Sequence, residues 1–384
     1  MNIIEIIFWL CIFALFYAYL GYPGLLWLFT LIKNDPVKKD NIMPSVSLVI
    51  SVYNEERIVA RKIDNTLELD YPSNLLEIAV ISDGSTDGTN KIIQEYAQKG
   101  DRIRPFIVPT NKGKTACLND FVPKLSGEVI LFSDANSFYD KDLIRHIVRP
   151  FADGRVGFVT GSTEYFTSTE GMAIEATSLY SKLERLTKSL ESKIGSCVGA
   201  DGAVFAIRKE LFTPMKPFDI NDFVIPLMII KGGYRGVLEE SALCREEAAP
   251  EMQSEFRRQT RITNSTLRAL FNHKELSNPF RYTLFAFELF SHKLMKLVTP
   301  FLMIIIFLTN CIMAPQNVFY VFMLGLQVFW YVLVYLGYRG EKTKNANRLT
   351  SMAYTFTLIS LAMLKGWLTY LAGETYSTWS PERT

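Results

Sequence analysis

The hydrophobic residues of this chain are gathered at its two ends, and this distribution limits its possible folds more than any other feature. Residues 3–32 contain a single charged side chain, Glu5. A helix crosses a bilayer with roughly 20 apolar residues, so this stretch is long enough to be a membrane anchor. It is too long for the core of a signal peptide, and it lacks both a basic start and an obvious small-residue cleavage site.

Three further apolar stretches lie near the end of the sequence, at 294–313, 317–338 and 350–372. Lys365 interrupts the last one, so this segment either carries a lysine that snorkels to the membrane surface or lies partly in the interface. No stretch between these two apolar ends reaches spanning length. We therefore predict an N-terminal transmembrane anchor (1–32), a large water-exposed domain (33–275) and a C-terminal membrane region with about three transmembrane helices (276–384).

Charges beside the apolar stretches predict the orientation. Lys33, Lys38 and Lys39 follow the first stretch, whereas no basic residue precedes it. Because basic residues favour the cytoplasmic side of a membrane, we expect the N-terminus outside and the large domain in the cytoplasm. The chain is thus expected to be an integral protein of a bacterial-type plasma membrane, in contact with membrane lipids.

Composition excludes some classes of partner. The formal net charge is +2 over 384 residues, so the chain shows no bias towards nucleic acid. The five cysteines form no CxxC pair and the three histidines are isolated, which argues against a zinc site.

The large domain begins with an alternation of strands and helices. Short apolar runs rich in β-branched residues predict buried strands at 45–53, 77–85, 103–110 and 128–136. Each run is followed by a segment with helical spacing. This alternation is typical of an α/β fold with a mainly parallel sheet covered by helices.

Polar side chains stand where the predicted strands end. In a parallel sheet, ligands bind beyond the carboxyl ends of the strands, so we expect these side chains to border one crevice. They are Tyr53, Asn54, Glu55, Asp83 and Asp134.

The crevice lacks the glycine motifs that hold phosphates directly, since neither GxGxxG nor GxxxxGK[ST] is present. Carboxylates at strand ends can instead accept hydrogen bonds from a ribose or a base, or hold a cation that binds phosphate. The pattern therefore indicates a nucleotide whose phosphates are held by a metal and by basic groups.

Four segments, "ISVYNEE", "SDGSTDGT", "NKGKTACLN" and "FSDAN", together resemble the family 2 glycosyltransferases. The likeness covers roughly residues 45–265 and is closest to the membrane-bound, cellulose-synthase-like branch. It implies a GT-A fold, a nucleotide-sugar donor such as a UDP-sugar, a divalent metal (Mg²⁺ or Mn²⁺) and inversion at the anomeric carbon.

The resemblance also assigns roles on the donor side. Asp83 would contact the nucleobase or ribose, helped by the segment that contains Tyr53, Asn54 and Glu55. "SDAN" is similar to the DxD metal motif, with Asp134 as the first acid and Asn136 in place of the second. An amide oxygen can still bind Mg²⁺ or Mn²⁺, with one negative charge fewer.

On the acceptor side, "INDFVIPLMIIKGGY" resembles the segment that supplies the catalytic base. Asp222 would be this base, the alternative being a cap on the helix that follows. "VGADGAVFAIRKEL" resembles the acceptor loop, so Asp201 and Gly202 are expected to contact the acceptor; for Asp201 a turn is the alternative.

The segment "FRRQTRI" is similar to the QxxRW motif, but Ile262 replaces the tryptophan. Arg258 and Arg261, together with Lys114, are candidates to stabilise the negative charge of the leaving nucleoside diphosphate. Alternatively, this segment is a basic face that contacts lipid headgroups.

The resemblance implies an inverting hexosyltransferase that acts on a polysaccharide or glycolipid at the membrane. Processive synthesis and a single transfer to a polyprenyl phosphate remain alternatives, and an export or assembly protein is a possible partner. A catalytically inactive scaffold that keeps the fold is the alternative of another class.

Overall fold

The computed structural model describes residues 2–100, 102–166, 173–247, 252–343 and 347–378, and side chains within these ranges except for 166–180. Strands within these ranges form one sheet in the order β3-β2-β1-β4-β7-β6-β8-β5. The strands are β1 (Val46–Val52), β2 (Leu76–Asp83), β3 (Ile103–Val108), β4 (Val129–Asp134), β5 (Ser137–Tyr139), β6 (Val156–Phe166), β7 (Val204–Arg208) and β8 (Arg235–Glu247).

Strands β3, β2, β1 and β4 pair in parallel, as the alternating sequence predicts. Strand β7 lies between β4 and β6 and is antiparallel to both. Strands β6 and β8 pair in parallel, and β5 pairs antiparallel with β8. The sheet is therefore mixed. Its parallel half brings the ends of β1, β2 and β4 to one edge, where the predicted crevice should lie.

Both faces of the sheet are buried, which explains why β1 reads as one apolar run. Leu48 and Ile50 belong to the hydrophobic cluster on one face, and Val49, between them, belongs to the cluster on the other face. This follows from the two-residue period of a strand. Helices that cover the faces include α3 (Val59–Leu67), α4 (Thr89–Lys99), α5 (Lys114–Phe121), α6 (Leu143–Val148), α7 (Ala173–Ile194), α8 (Asn221–Lys231) and α9 (Met252–Asn272).

Long apolar helices flank this domain in the sequence. At the N-terminus α1 (Ile3–Phe16) continues through a π-helical turn at Tyr17–Gly21 into α2 (Tyr22–Ile32). After the domain come α10 (Pro279–Leu289), a short α11 (Met295–Leu297), α12 (Thr299–Met313), α13 (Val318–Thr343) and α14 (Arg348–Leu371).

By length and composition, three described segments could each cross a membrane: Ile3–Ile32, Thr299–Gln316 and Val318–Thr343. Helix α14 is more polar and packs along α9 of the domain. There the Asn264 side-chain nitrogen donates a hydrogen bond to the Thr369 hydroxyl at 3.0 Å. That α14 also spans the membrane stays a prediction, as do the domain boundaries.

Candidate active site

The end of β1 is tied to the loop that follows β2. The backbone N–H of Asn54 donates to the Ser85 hydroxyl at 3.0 Å, and the Asn54 side-chain oxygen accepts from the Thr86 N–H at 2.8 Å. Asn54 adopts a left-handed backbone conformation (φ 52°), which asparagine tolerates better than most residues. The Glu55 N–H donates to the Thr89 hydroxyl at 2.9 Å. These contacts hold the two strand ends together.

Asp83 shapes the loop after β3. One carboxylate oxygen accepts the N–H of Lys112 at 2.9 Å and the other accepts the N–H of Gly113 at 2.8 Å. The side chain is almost completely buried, and the Cys117 thiol approaches it at 3.3 Å. The described contacts of this carboxylate are thus with the loop that leads into α5.

Lys114 and Asp134 form an ion pair at the carboxyl end of the parallel strands. The ammonium of Lys114, at the start of α5, lies 2.6 Å from a carboxylate oxygen of Asp134, at the end of β4. Asn136 is buried and does not line the crevice wall beside this pair.

A metal ion at Asp134 would need ligands from the donor. Among the described residues, no group of three or more His, Cys, Asp and Glu side chains is placed to hold a metal. Mg²⁺ commonly binds through one or two carboxylates together with substrate phosphates. Asp134 fits such a shared site, because its side chain is 35% exposed at the crevice and its carboxylate already holds a cation, the ammonium of Lys114.

Glu246, at the end of β8, is a further acid beside Asp134 that sequence reasoning missed. Burial raises its pKa to about 7, and the negative charge of Asp134 adds to this shift. The Ser137 hydroxyl donates to Glu246 at 2.6 Å. A cation near Asp134 would relieve this local excess of negative charge. The sequence feature that could have identified Glu246 is its position near the end of a strand.

Asp222 lies in the first turn of α8. Burial raises its pKa, the Lys114 charge opposes that rise, and the charges of Asp134 and Asp201 add to it. Within the described residues its carboxylate makes no capping hydrogen bond, so the structure offers no support for the helix-cap alternative. A β-carbon on Gly202 would lie 2.9 Å from an Asp222 carboxylate oxygen.

Asp201 makes a turn contact and also lines the crevice. Its carboxylate accepts the Ala203 N–H at 3.1 Å, which is a local turn contact. Its backbone N–H donates to the Thr160 hydroxyl at 2.8 Å. The side chain also borders the crevice beside Gly202 and Asp222.

The crevice has a volume of about 170 Å³ and brings most of the predicted site residues together. Arg258, whose guanidinium pairs with Glu255 at 3.1 Å, borders it from α9. The predicted residues on its wall are Lys114, Asp134, Asp201, Gly202, Asp222, Arg258 and Arg261. The predicted residues that do not line it are Tyr53, Asn54, Glu55, Asp83 and Asn136.

The C-terminal segment also reaches the crevice, which no sequence pattern indicated. Tyr376, Ser377 and Thr378 line it, and a β-carbon on Gly113 would clash with the Ser377 carbonyl oxygen. Gly113 has φ 95°, a conformation that favours glycine. The segment is irregular and short, so it carries no periodic signal.

Residues 47–212 match the sequence model for "Glycosyl transferase family 2". A beta-monoglucosyldiacylglycerol synthase from Nostoc sp. is 33% identical over 119 residues, which are 30% of this chain and 25% of that protein. A poly-beta-1,6-N-acetyl-D-glucosamine synthase from Staphylococcus epidermidis is 25% identical over 204 residues, which are 52% of this chain and 49% of that protein. The chain thus spans between a quarter and about half of the length of these two relatives.

A solved structure shares the fold over nearly the whole chain. It is the mannosyltransferase PcManGT from Pyrobaculum calidifontis, in complex with GDP-Man and Mn²⁺. The TM-score is 0.73 at 20% sequence identity, covering 97% of this chain and 99% of that one. This likeness confirms the predicted GT-A fold, and the sequence match shows that residues 47–212 of this chain form a family 2 glycosyltransferase domain.

Proposed function

We propose that this protein transfers a sugar from a nucleoside diphosphate sugar to a hydroxyl group of a glycan or glycolipid at the membrane, with inversion. The observation that carries the proposal is the convergence of Lys114, Asp134, Asp222 and Arg258 on one crevice at the carboxyl ends of the strands. Cations and carboxylates meet there, and such groups can stabilise the charge that develops during sugar transfer. The expected donor is a UDP-sugar, with a GDP-sugar as the alternative that the PcManGT complex suggests.

The leaving group is a nucleoside diphosphate, which gains negative charge as the sugar departs. Lys114 from α5 and Arg258 and Arg261 from α9 supply fixed positive charge around it. Asp134 would hold a divalent cation shared with the diphosphate, and Asn136 is a candidate to assist after a side-chain movement. A bound Mg²⁺ or Mn²⁺ would supply Lewis-acid stabilisation of the leaving oxygens.

The acceptor hydroxyl must lose its proton as it attacks the anomeric carbon. Asp222 is the proposed base: burial raises its pKa, so its ionised form binds a proton more readily than an ordinary aspartate does. Asp201 and Gly202, on the same wall, are the proposed acceptor contacts. A single displacement requires no covalent sugar–protein intermediate.

Asp83, Asn54 and Glu55 would support the donor site through the loops that they fix. Asp83 holds the N–H groups of Lys112 and Gly113, so it positions the loop that places Lys114. We propose that the nucleoside half of the donor lies beside this loop and Tyr53.

The proposed location is a membrane, with the domain on the cytoplasmic side where nucleotide sugars are made available. Three candidate spans support membrane insertion. The lysines that follow the first span support this orientation.

The test uses the purified full chain with a panel of UDP- and GDP-sugars, and measures nucleotide release and sugar transfer with Mg²⁺, with Mn²⁺ and with a chelator. We expect turnover with one donor class, dependence on the metal, and loss of activity in Asp134→Ala. Asn136→Asp should preserve or tighten metal binding, because it adds a charge. Absence of donor binding across the whole panel would favour the inactive scaffold, and full activity in chelator would contradict the metal assignment.

A further inference from the structure

A second cavity lies beside the donor crevice, between the domain and the helices near the membrane. Its volume is about 310 Å³. It is bordered by β6, α7, α9 and α14, and Tyr19 of the N-terminal candidate span closes one side. Its location places it where a membrane lipid could reach the domain.

One wall of this cavity is apolar and comes from α14. Met352, Phe356, Ile359 and Met363 face it, at spacings of four, three and four residues, which place side chains on one face of a helix. A wall of this kind suits a hydrocarbon chain and is poorly suited to a soluble sugar.

The opposite wall is polar. It is lined by the partly exposed side chains of Tyr165, Asp201 and Arg258. A phenol, a carboxylate and a guanidinium together offer donors and acceptors of hydrogen bonds, so this wall suits a ligand group that makes hydrogen bonds.

Charges on the polar wall are balanced in sign, which favours a neutral head group over a phosphate. Glu184 already pairs with Lys296 at 2.8 Å, and Arg258 pairs with Glu255 at 3.1 Å. The charged residues that line the cavity are Arg185, Lys188, Arg258, Glu184, Asp201 and Glu255.

The two cavities share a wall, since Tyr165, Asp201 and Arg258 line both of them. A head group held beside Asp201 and Arg258 would therefore approach the side of the crevice that holds Asp222. A buried base is needed when the acceptor is a hydroxyl, whereas a phosphate acceptor is already ionised near neutral pH.

We propose that the acceptor is a membrane lipid with a neutral, hydroxyl-bearing head group, bound with its hydrocarbon chain along α14 and its head beside Asp201 and Arg258. This inference rests on the proposed function. In the reaction the lipid hydroxyl oxygen bonds to the anomeric carbon, the bond from that carbon to the phosphate oxygen breaks, and the nucleoside diphosphate leaves. The hydroxyl proton passes to Asp222.

The first experiment compares acceptors with the full chain in nanodiscs, using the donor that turns over. The probes are dioctanoylglycerol, octyl β-glucoside, free glucose and a polyprenyl phosphate. We expect kcat/KM for at least one of the two neutral amphiphiles to exceed that for free glucose by about tenfold or more, because the apolar wall binds the chain. Equal use of octyl β-glucoside and glucose, or transfer to the polyprenyl phosphate alone, would overturn the inference.

The second experiment narrows the apolar wall with Ile359→Trp. Its matched control is Leu361→Trp on the same helix, where the leucine is 52% exposed and does not line the cavity. Ile359→Trp should raise KM for the preferred amphiphile by about tenfold while donor hydrolysis without acceptor stays unchanged, and the control should stay within about twofold of the wild type.

A photoactivatable octyl glucoside gives a readout that does not depend on a folded variant. Its crosslinks to the wild-type chain should map to α14 and be reduced by the preferred acceptor. Crosslinks only elsewhere, or equal effects of the two tryptophan variants, would overturn the lipid site. Absence of donor hydrolysis and of transfer to every acceptor would instead contradict the proposed function itself.

Discussion

Asp83 and Asp222 are the same residue type within one site, but their surroundings differ. Asp83 is surrounded by donors, since each of its oxygens accepts a backbone N–H. Asp222 is buried near other acids, and its pKa is raised. Hydrogen bonds to a carboxylate stabilise its ionised form, whereas burial and like charges destabilise it. The first environment suits a structural support and the second suits a proton acceptor.

Asp83→Asn should weaken donor binding without unfolding the domain. The amide would place an N–H₂ group against a backbone N–H, and leaving a buried donor unpaired costs about 1–3 kcal/mol. The loop at Lys112 and Gly113 should loosen, and calorimetry should show a donor Kd raised by about tenfold or more.

The matched control for that change is Asp87→Asn. Asp87 also accepts two backbone N–H groups, that of Thr89 at 3.0 Å and that of Glu56 at 3.1 Å. It is only half-buried, so water can replace the acceptor that asparagine removes. Its donor Kd should be unchanged. Equal donor affinity in the Asp83 and Asp87 variants would show that Asp83 does not support the donor site.

The dependence of kcat on pH should report the raised pKa of Asp222. A protonated carboxyl cannot act as a base, so activity should rise with pH through this pKa and level off above it. Because burial raises the pKa, the acid limb should lie above the range of an ordinary aspartate. Lys114→Met should move the limb to higher pH, since the lysine charge lowers that pKa. Identical limbs in wild type and variant would contradict the assignment.

At the scale of elements, the contact between α9 and α14 connects the crevice with the helices near the membrane. A β-carbon on Gly366 would lie 2.5 Å from the Thr263 β-carbon, so the two helices approach closely at this point. Helix α9 carries Arg258 and Arg261, while the chain beyond α14 carries Tyr376–Thr378. The packing of these helices therefore positions two sides of the site.

Gly366→Leu should separate α9 from α14. Overpacking a tight contact costs about 1–3 kcal/mol, so thermal unfolding in detergent should show a lower Tm, and transfer should slow because Arg258 moves. The control is Gly325→Leu in α13, where a β-carbon meets no atom within 4 Å. Equal Tm values for the two variants would contradict the close packing.

Short apolar runs in the sequence were enough to predict the strands of the parallel half of the sheet. The runs that became β1, β2 and β4 are apolar on both faces, and the acids at the ends of β2 and β4 marked the crevice. The insertion of antiparallel β7 beside β4 depends on pairing between residues far apart in sequence, such as Phe132 with Phe205. Glu246 was missed for the same reason, since it pairs with the distant Ser137. Tyr376–Thr378 were missed because their segment is irregular and has no periodic pattern.

On the scale of the whole molecule, the N-terminal helix is fixed to the domain. The Tyr22 hydroxyl donates to Glu191 at 2.8 Å, and Asp35, just after the helix, pairs with Arg155 and Arg235, each at 3.0 Å. The domain is therefore held against the membrane helices. This arrangement suits the proposed transfer from a soluble donor to an acceptor in the membrane.

The proposed orientation can be tested by labelling cysteines in intact cells, in a Cys311→Ser background. Lys91→Cys lies on the domain surface, where the lysine side chain is 83% exposed. Gln316→Cys lies in the exposed turn between α12 and α13. An impermeant thiol reagent should label position 316 in intact cells and position 91 only after permeabilisation. The reverse pattern would place the domain outside.

The measurement that tests the account most directly is turnover and donor affinity of Asp222→Asn on one preparation. Asparagine keeps the size of the side chain and caps a helix about as well as aspartate does, but it cannot accept the proton. We predict that kcat for transfer falls by roughly 10²–10⁴, the usual contribution of a positioned general base, while the donor Kd stays within about twofold. Turnover near that of the wild type would contradict the assignment of the base, and loss of donor binding would place Asp222 in the nucleotide site instead.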